Sequence, residues 1–188
     1  MAEVGNRVVS GDSGEAVAAL VASRVLDVPD FPRTGIQFKD LSPLFADGPV
    51  FREVIDAMAR VYNGSRIDVV AGIEARGFVL ASAVAYAVGV GVVPVRKAGK
   101  LPRATYAATY ELEYGEATLE VHQDAFTPGA RVLVVDDVLA TGGTAQATLD
   151  LVERAGATVA GVTFLLELGF LKGREKLPNR PVHALLTV

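Results

Sequence analysis

Two adjacent carboxylates followed by a loop of small residues form the most informative stretch of the chain. Asp136 and Asp137 end an aliphatic run, and Ala140-Thr141-Gly142-Gly143-Thr144 then opens a predicted helix. A helix N-terminus offers free N–H groups and partial positive charge, and glycines let the backbone approach a phosphate closely. Carboxylates are poor phosphate ligands but good acceptors for neighbouring hydroxyls. Together these residues predict a site for a phosphate beside a vicinal diol, as in ribose 5-phosphate.

The alternative is purely structural, with Asp136 and Asp137 in a turn before a capped helix. Two other phosphate-binding motifs do not fit the sequence. The loop is not a Walker A motif, because no Gly-Lys-Ser or Gly-Lys-Thr follows its glycines. Gly89-Val90-Gly91 does not begin a dinucleotide-binding fingerprint either, because Pro94 stands where a third glycine is required.

Two further segments have the composition of a diphosphate site. Glu74-Ala75-Arg76-Gly77 follows an aliphatic run and precedes a predicted helix, so its N–H groups and the Arg76 guanidinium could hold an anion. A cluster of cations follows another aliphatic run on this acidic chain: Arg96, Lys97, Lys100 and Arg103. The structural alternatives are an arginine that caps a helix at the surface and a solvated charged face.

One aromatic residue and two histidines complete the candidates. Phe38 lies in an irregular segment flanked by prolines, where an exposed ring could stack on a purine. The alternative is a side chain that fills the core. His122 and His183 have no partner at a metal-ligand spacing, and we interpret both as structural.

A regular alternation of strands and helices must position these residues. Helices are predicted over 15–26, 47–62, 77–88 and 143–155, and strands over 67–73, 90–95, 105–112, 117–121, 131–135, 158–166 and 181–188. Because the aliphatic strands are apolar on both faces, the pattern indicates an α/β protein with a parallel sheet covered by helices. Strands 105–112 and 117–121 are expected to form an antiparallel pair. Ligands bind beyond the carboxyl ends of parallel strands, which places the residues after Ile73, Val95 and Val135 at one edge.

Composition limits the class of protein. The 188 residues are expected to form one domain with a sizeable core, and the net charge of −4 disfavours broad binding to nucleic acid. The lack of cysteine excludes disulfides and thiolate metal sites, and it fits the reducing cytoplasm. No signal peptide is expected. The uncharged stretch 78–95 is interpreted as a buried helix followed by a buried strand, not as a membrane span.

The string from Val134 to Thr144 resembles the phosphoribosyl-diphosphate-binding signature of the type I phosphoribosyltransferases, and its Leu-Ala-Thr-Gly-Gly-Thr form resembles the adenine-specific branch. Further segments match that family in order along the chain: Asp30-Phe31-Pro32, Gly35-Ile36-Gln37-Phe38-Lys39-Asp40, Ser42-Pro43, Glu74-Ala75-Arg76-Gly77-Phe78, Arg96 to Pro102, Leu112-Glu113-Tyr114-Gly115, Glu167-Leu168 and Leu171-Lys172-Gly173-Arg174-Glu175. The matches extend over residues 30–177, which is most of the chain.

The resemblance implies a reaction and a set of roles. Adenine and 5-phosphoribosyl 1-diphosphate would be condensed to AMP and pyrophosphate, a step of purine salvage. Asp136, Asp137 and Ala140-Thr141-Gly142-Gly143-Thr144 would bind the phosphoribose. Pyrophosphate would be bound by Glu74, Ala75, Arg76, Gly77, Arg96, Lys97 and Lys100, with a cis peptide at Glu74-Ala75. Adenine would be bound by Gln37, Phe38, Lys39 and Leu168, and the catalytic residues would be Glu113, Tyr114, Asp136 and Asp137.

The resemblance also implies a cofactor, an assembly and a domain plan. Mg²⁺ would be held mainly through substrate oxygens and water, with no direct protein ligand, and the chain would form a homodimer. Residues 1–13 are expected to be a loose tail, and 14–188 a single type I phosphoribosyltransferase domain with a flexible antiparallel loop and a small hood. Its base-binding segment would be 30–45 and its C-terminal segment 165–188. The alternatives are another purine phosphoribosyltransferase, such as a xanthine-specific one, and a ligand-sensing regulator of the same fold without catalysis.

Overall fold

A seven-stranded sheet lies at the centre of the structure, which is a computed structural model that describes residues 11–111 and 115–188, without the side chains of 11–13. The strands are β3 (Val69–Ile73), β4 (Gly91–Lys97), β5 (Thr105–Glu111), β6 (Glu116–His122), β7 (Arg131–Leu139), β8 (Thr158–Glu167) and β9 (Val182–Thr187). Their order across the sheet is β5-β6-β4-β3-β7-β8-β9. Strands β4, β3, β7, β8 and β9 are parallel, whereas β5 and β6 form an antiparallel pair at one end. The α/β class predicted from the sequence is therefore confirmed.

Helices cover both faces of the sheet. They are α1 (Gly11–Ala22), α2 (Ser42–Ala46), α3 (Gly48–Arg60), α4 (Gly77–Val88) and α5 (Gly143–Arg154). In β7, Leu133 and Val135 pack toward α1, α3 and α4, while Val132 and Val134 pack toward α5. Successive side chains of a strand point to opposite faces, so this aliphatic strand is buried on both sides.

The segment before the main sheet forms a small hood. Strand β1 (Leu26–Pro29) pairs antiparallel with β2 (Gln37–Asp40), and the Phe31–Pro32 peptide bond in the connection is cis. Asp30 adopts a φ of +57°, and its carboxylate accepts a hydrogen bond of 2.6 Å from the N–H of Gly35. An ion pair between Asp27 and Lys39 joins the two strands.

Several element bounds differ from the prediction. The first helix occupies Gly11–Ala22 and not 15–26, because Leu26 pairs with Asp40 in the hood. Strand β7 continues past Val135 to Leu139, because β8 pairs with it over that length. The short helix Ser42–Ala46 was not predicted.

The uncharged stretch forms α4 and β4, as expected from the sequence. Among the described residues, no helix has the length and apolar character needed to cross a membrane.

Candidate active site at the carboxyl edge of the sheet

Asp136 and Asp137 lie within β7 and not after its end, which corrects the sequence-based placement. Strand β3 pairs with β7 only as far as Val135, whereas β8 accompanies β7 up to Leu139. The two carboxylates therefore follow the last residue of β7 that pairs with β3, at the edge where parallel α/β sheets bind ligands.

The two carboxylates are held in different environments. Asp137 is 7% exposed, and its Oδ2 lies 2.6 Å from Nε of Arg76 in an ion pair. Asp136 Oδ1 accepts a hydrogen bond of 2.9 Å from the N–H of Asp137. Burial, followed by the charge of Asp137, raises the pKa of Asp136 well above its ordinary value, and the Arg76 charge opposes that rise. The acid pair is thus a place that hydrogen-bond donors and positive charge would stabilise.

The predicted phosphate loop, residues 140–144, connects β7 to the N-terminus of α5. Gly142 has a φ of +81°, and a Cβ built on it would lie 2.3 Å from the carbonyl oxygen of Gly173. Only glycine fits this position, because the conformation is left-handed and the neighbouring backbone is in contact. Thr141 and Thr144 line a small recess beside Asp136, at the helix end where N–H groups are free.

The second loop, Glu74 to Gly77, connects β3 to α4, and its end lies against Val135 and Asp136 of β7. The Glu74–Ala75 peptide bond is cis, as the resemblance implied. A Cβ on Gly77 would lie 2.6 Å from Oδ1 of Asp136, so the start of α4 is as close to the acid pair as backbone can come. Two helix N-termini therefore converge on Asp136 and Asp137.

Glu74 organises the cationic loop that follows β4. Its Oε2 accepts hydrogen bonds from Nε of Arg96 at 3.2 Å and from the N–H of Lys97 at 3.0 Å. Burial would raise the pKa of Glu74, but these two donors outweigh it and hold the pKa below the ordinary value. Arg96 also donates to the carbonyl oxygen of Lys100 at 3.1 Å. The cations predicted to bind pyrophosphate are thereby held in a defined loop.

The members of the cation cluster are not equally placed. Lys97 and Lys100 are exposed beside the site, whereas Arg103 forms an ion pair with Asp124. Arg103 thus fits the alternative of a solvated charged face, and the other three cations remain candidates for an anion site.

The predicted base-binding residues lie on the hood. Phe38 is half-buried in β2, and the ring of Phe31 contacts it edge-on with centroids 4.9 Å apart. The Arg76 guanidinium carbon lies 5.3 Å from the centroid of Phe38, so one side chain contacts both this ring and Asp137. Phe38 belongs to neither core cluster, which argues against the core-filling alternative. Gln37 and Lys39 flank it in the same strand.

Leu168 follows directly on β8, and its N–H donates to the carbonyl oxygen of Leu139 at 2.9 Å. Glu113 and Tyr114, predicted as catalytic, lie outside the described residues. The residues before them are described: Tyr110 lies over the phosphate loop, where a Cβ on Gly143 would come within 3.2 Å of its ring. Strand β5 therefore approaches the phosphate loop, although the sequence held no signal for this contact.

The histidines lie apart from these residues. His183 packs edge-on against Tyr62 with ring centroids 5.7 Å apart, and burial lowers the pKa of its imidazole. His122 lies in β6, and its Nδ1 is buried without a hydrogen-bond partner. In the parts of the chain that the structure describes, no group of three or more His, Cys, Asp or Glu side chains is arranged to hold a metal ion.

The parallel sheet brings a glycine-threonine loop, a buried acid pair and a cationic loop to one edge, an arrangement typical of proteins that bind phosphorylated ligands. A family model described as "Phosphoribosyl transferase domain" matches residues 42–180. The chain belongs to the phosphoribosyltransferase family, and its fold is the type I fold of that family.

The chain is highly similar to relatives from one branch of this family. An adenine phosphoribosyltransferase of Salinispora arenicola is 75% identical over 100% of both chains, and one of Thermobifida fusca is 57% identical over 92% of this chain and 98% of the relative. The crystal structure of adenine phosphoribosyltransferase from Thermoanaerobacter pseudethanolicus superimposes with a TM-score of 0.89 at 45% identity, covering 91% of this chain and 99% of that one. The Saccharomyces cerevisiae enzyme, complexed with adenine and an imino-altritol bisphosphate, has a TM-score of 0.87 at 43% identity and covers 92% and 99%.

Proposed function

We propose that this chain is an adenine phosphoribosyltransferase, which condenses adenine with 5-phosphoribosyl 1-diphosphate to AMP and pyrophosphate. One observation carries the proposal: Arg76 contacts both Asp137 and the Phe38 ring. This contact brings the candidate purine platform next to the candidate ribose site, as a transfer of ribose to a base requires. The high identity to enzymes named adenine phosphoribosyltransferase supports the same assignment.

In the reaction the bond between the anomeric carbon and the diphosphate oxygen breaks, and a bond to N9 of adenine forms as N9 loses its proton. Positive charge develops on the ribose ring, and negative charge develops on the departing pyrophosphate. Asp136 and Asp137 would accept hydrogen bonds from the ribose hydroxyls and stabilise that positive charge. The N–H groups and hydroxyls of residues 140–144 would fix the 5-phosphate, so that the anomeric carbon faces the base.

The pyrophosphate would be bound at the loop 74–77 and at the cationic loop that follows β4. The N–H groups of residues 74–77 and the side chains of Arg76, Arg96, Lys97 and Lys100 would hold its oxygens. In this scheme Glu74 acts through the cationic loop, because its carboxylate holds Arg96 and the backbone of Lys97. Transfer of Arg76 from Asp137 to the diphosphate would also free the acid for the ribose hydroxyls.

The adenine would lie against Phe38, with backbone groups of Gln37 and Lys39 reading its edge and Leu168 covering the other face. Stacking on an aromatic ring contributes about 1–3 kcal/mol per base. We further propose that Glu113 contacts the purine as general acid or base and that Tyr114 contacts the leaving group. Glu113→Ala is expected to lower turnover strongly with little change in the affinity for phosphoribosyl diphosphate, whereas loss of folding would indicate a structural role.

The acid pair and its surroundings fit Mg²⁺ held mainly by substrate oxygens and water. Mg²⁺ prefers oxygen ligands in octahedral geometry and keeps several waters, so the substrate oxygens beside the acid pair would suit it. When bound, the ion would neutralise charge on the pyrophosphate oxygens.

The decisive experiment is product formation from adenine, phosphoribosyl diphosphate and Mg²⁺, with Asp137→Asn as the control. AMP formation by the wild-type protein and markedly slower AMP formation by the variant are expected. Competition with hypoxanthine, guanine and xanthine tests base specificity, and a preference for xanthine would favour the other purine transferase. Binding of nucleotide without turnover, together with a mobility shift of DNA, would favour the regulator.

We also propose a cytoplasmic homodimer in which residues 14–188 form one catalytic domain. Apolar side chains exposed on α4 and β4 support a second copy as partner, since Val79, Tyr86 and Val92 are 47%, 90% and 43% exposed. Light scattering should give twice the chain mass, and Tyr86→Glu should shift it toward the monomer. Limited proteolysis should leave 14–188 intact, and cell fractionation should place the protein in the cytosol.

A further inference from the structure

The C-terminal segment contains an ion pair between a buried carboxylate, Glu167, and a partly exposed guanidinium, Arg174, that none of the roles above uses. Glu167, the last residue of β8, is 5% exposed. Nε of Arg174 donates to its two carboxylate oxygens at 2.8 and 2.9 Å, and Nη2 of Arg174 lies 2.8 Å from Oε2. Thr187 of β9 donates to Oε2 at 3.4 Å. A buried carboxylate requires such partners, and a guanidinium fixes its orientation as well as its charge.

Arg174 holds more than the carboxylate. Its Nη1 donates to the carbonyl oxygen of Val182 at 2.6 Å, at the start of β9. One side chain therefore ties the turn at 173–176 to the end of β8 and the beginning of β9. The position of this turn depends on a contact between residues seven apart in sequence, Glu167 and Arg174.

Each end of this contact leads to a part of the candidate active site. Glu167 directly precedes Leu168, the candidate cover of the base, whose N–H donates to Leu139 at 2.9 Å. Gly173 directly precedes Arg174 and lies against the phosphate loop: a Cβ on Gly173 would lie 2.2 Å from the carbonyl oxygen of Ala140. The reciprocal contact is equally close, because a Cβ on Gly142 would lie 2.3 Å from the Gly173 oxygen.

We propose that Arg174 is a positioning residue. Its ion pair with Glu167 keeps the turn at 173–176 in contact with the phosphate loop and holds Leu168 in position over the base. The inference rests on the proposed function for the identity of the substrates. It does not require Arg174 to touch them. Without the ion pair between Arg174 and Glu167, the turn at 173–176 moves away from the phosphate loop. The phosphate site then loses its shape, while the acid pair and the cationic loop stay in place.

The test compares Arg174→Met, Arg174→Lys and the double variant Arg174→Met/Glu167→Gln with wild type. Steady-state kinetics with both substrates and calorimetry with ribose 5-phosphate are measured well below the Tm of each variant. Arg174→Met is expected to raise the KM for phosphoribosyl diphosphate and the Kd for ribose 5-phosphate about tenfold or more, with a smaller change in kcat. Arg174→Lys keeps the charge but loses the planar fork, so its KM and Kd are expected to lie between those of the wild type and those of Arg174→Met.

The double variant separates positioning from folding. It removes the lone buried charge that Arg174→Met alone would leave, so stability should recover while both affinities stay weak. Arg180→Ala is the matched control, because Arg180 forms an exposed ion pair with Glu153 in the same part of the chain and is expected to leave both constants unchanged.

Affinities within twofold of wild type in the double variant and in Arg174→Lys would overturn the proposal, as would a loss of kcat alone. Wild-type protein that binds ribose 5-phosphate without forming AMP would refute the proposed function instead, and the calorimetric comparison of the variants would still decide the role of Arg174.

Discussion

Replacement of Gly142 by alanine tests whether the phosphate loop acts through its shape. Two effects coincide at this residue: its φ is +81°, and a Cβ would lie 2.3 Å from the backbone oxygen of Gly173. Two other glycines separate these effects. Gly129 has a φ of +75° with open space around a Cβ, whereas Gly173 lies outside the left-handed region but would bring a Cβ to 2.2 Å from the Ala140 oxygen.

The expected magnitudes follow from these contacts. An alanine in the left-handed conformation costs about 1–2 kcal/mol, so Gly129→Ala should lower the Tm by roughly 2–8 °C and leave activity unchanged. An ordinary contact begins at 3.4 Å, so in Gly142→Ala the loop and the turn must separate by about 1 Å. A displacement of about 1 Å in a substrate-positioning element can cost about 100-fold in rate.

The assay is AMP formation with varied phosphoribosyl diphosphate, together with thermal unfolding of each variant. Gly142→Ala and Gly173→Ala should each lose about 100-fold in kcat/KM, because each pushes on the same contact. The reasoning is refuted if Gly142→Ala retains the activity of Gly129→Ala, since loop shape would then have no effect on turnover.

Three further predictions concern the acid pair and the hood. Asp137→Asn should lower kcat/KM about 10- to 100-fold, the value of a hydrogen bond to a charged group, in the same AMP assay; an unchanged value would contradict the ribose role. Because the folded-state pKa of Asp136 lies above its ordinary value of 3.8, the folded state binds the extra proton and its stability falls as pH rises through that interval. Asp136→Asn should therefore raise the Tm at pH 7 but not at a pH near 4 in parallel melting curves, and an equal gain at both would contradict the assigned cause. Phe38→Ala should raise the KM for adenine about tenfold or more without changing the KM for phosphoribosyl diphosphate. A change in both KM values would indicate that Phe38 supports the structure of the whole site and does not contact the base.

The fold could be predicted because its signals are local. An aliphatic run buried on both faces is typical of a parallel strand, and α4 begins and ends at the residues that the pattern indicated, Gly77 and Val88. The hood strands were missed because Leu26 has a helical spacing to the residues before it, whereas its actual pairing with Asp40 depends on a distant segment. The same reason explains β7, whose last residues are held in the strand by β8.

In the candidate site, too, some features could be predicted from the sequence and others could not. The glycine-threonine loop and the acid pair carry a readable motif, because the chemistry needs those residue types next to one another. The contacts that join the loops have no sequence motif. Glu74 and Arg96 are 22 residues apart in sequence, and the approach of Gly173 to Ala140 is visible only once both backbones are placed. A sequence can therefore indicate which groups bind substrate, but not which neighbours hold them in position.

The electrostatics of the acid pair connect these contacts to catalysis. Asp136 and Asp137 are adjacent carboxylates in a largely buried place, an arrangement that destabilises the folded protein unless positive charge or donors are near. Without substrate, Arg76 supplies that charge to Asp137. A ribose ring that becomes cationic would supply it to both acids at once, with its hydroxyls as donors. Under the proposed function, the acid pair would interact more favourably with the ring as it becomes cationic than with the neutral ring of the bound substrate, and this difference would lower the barrier.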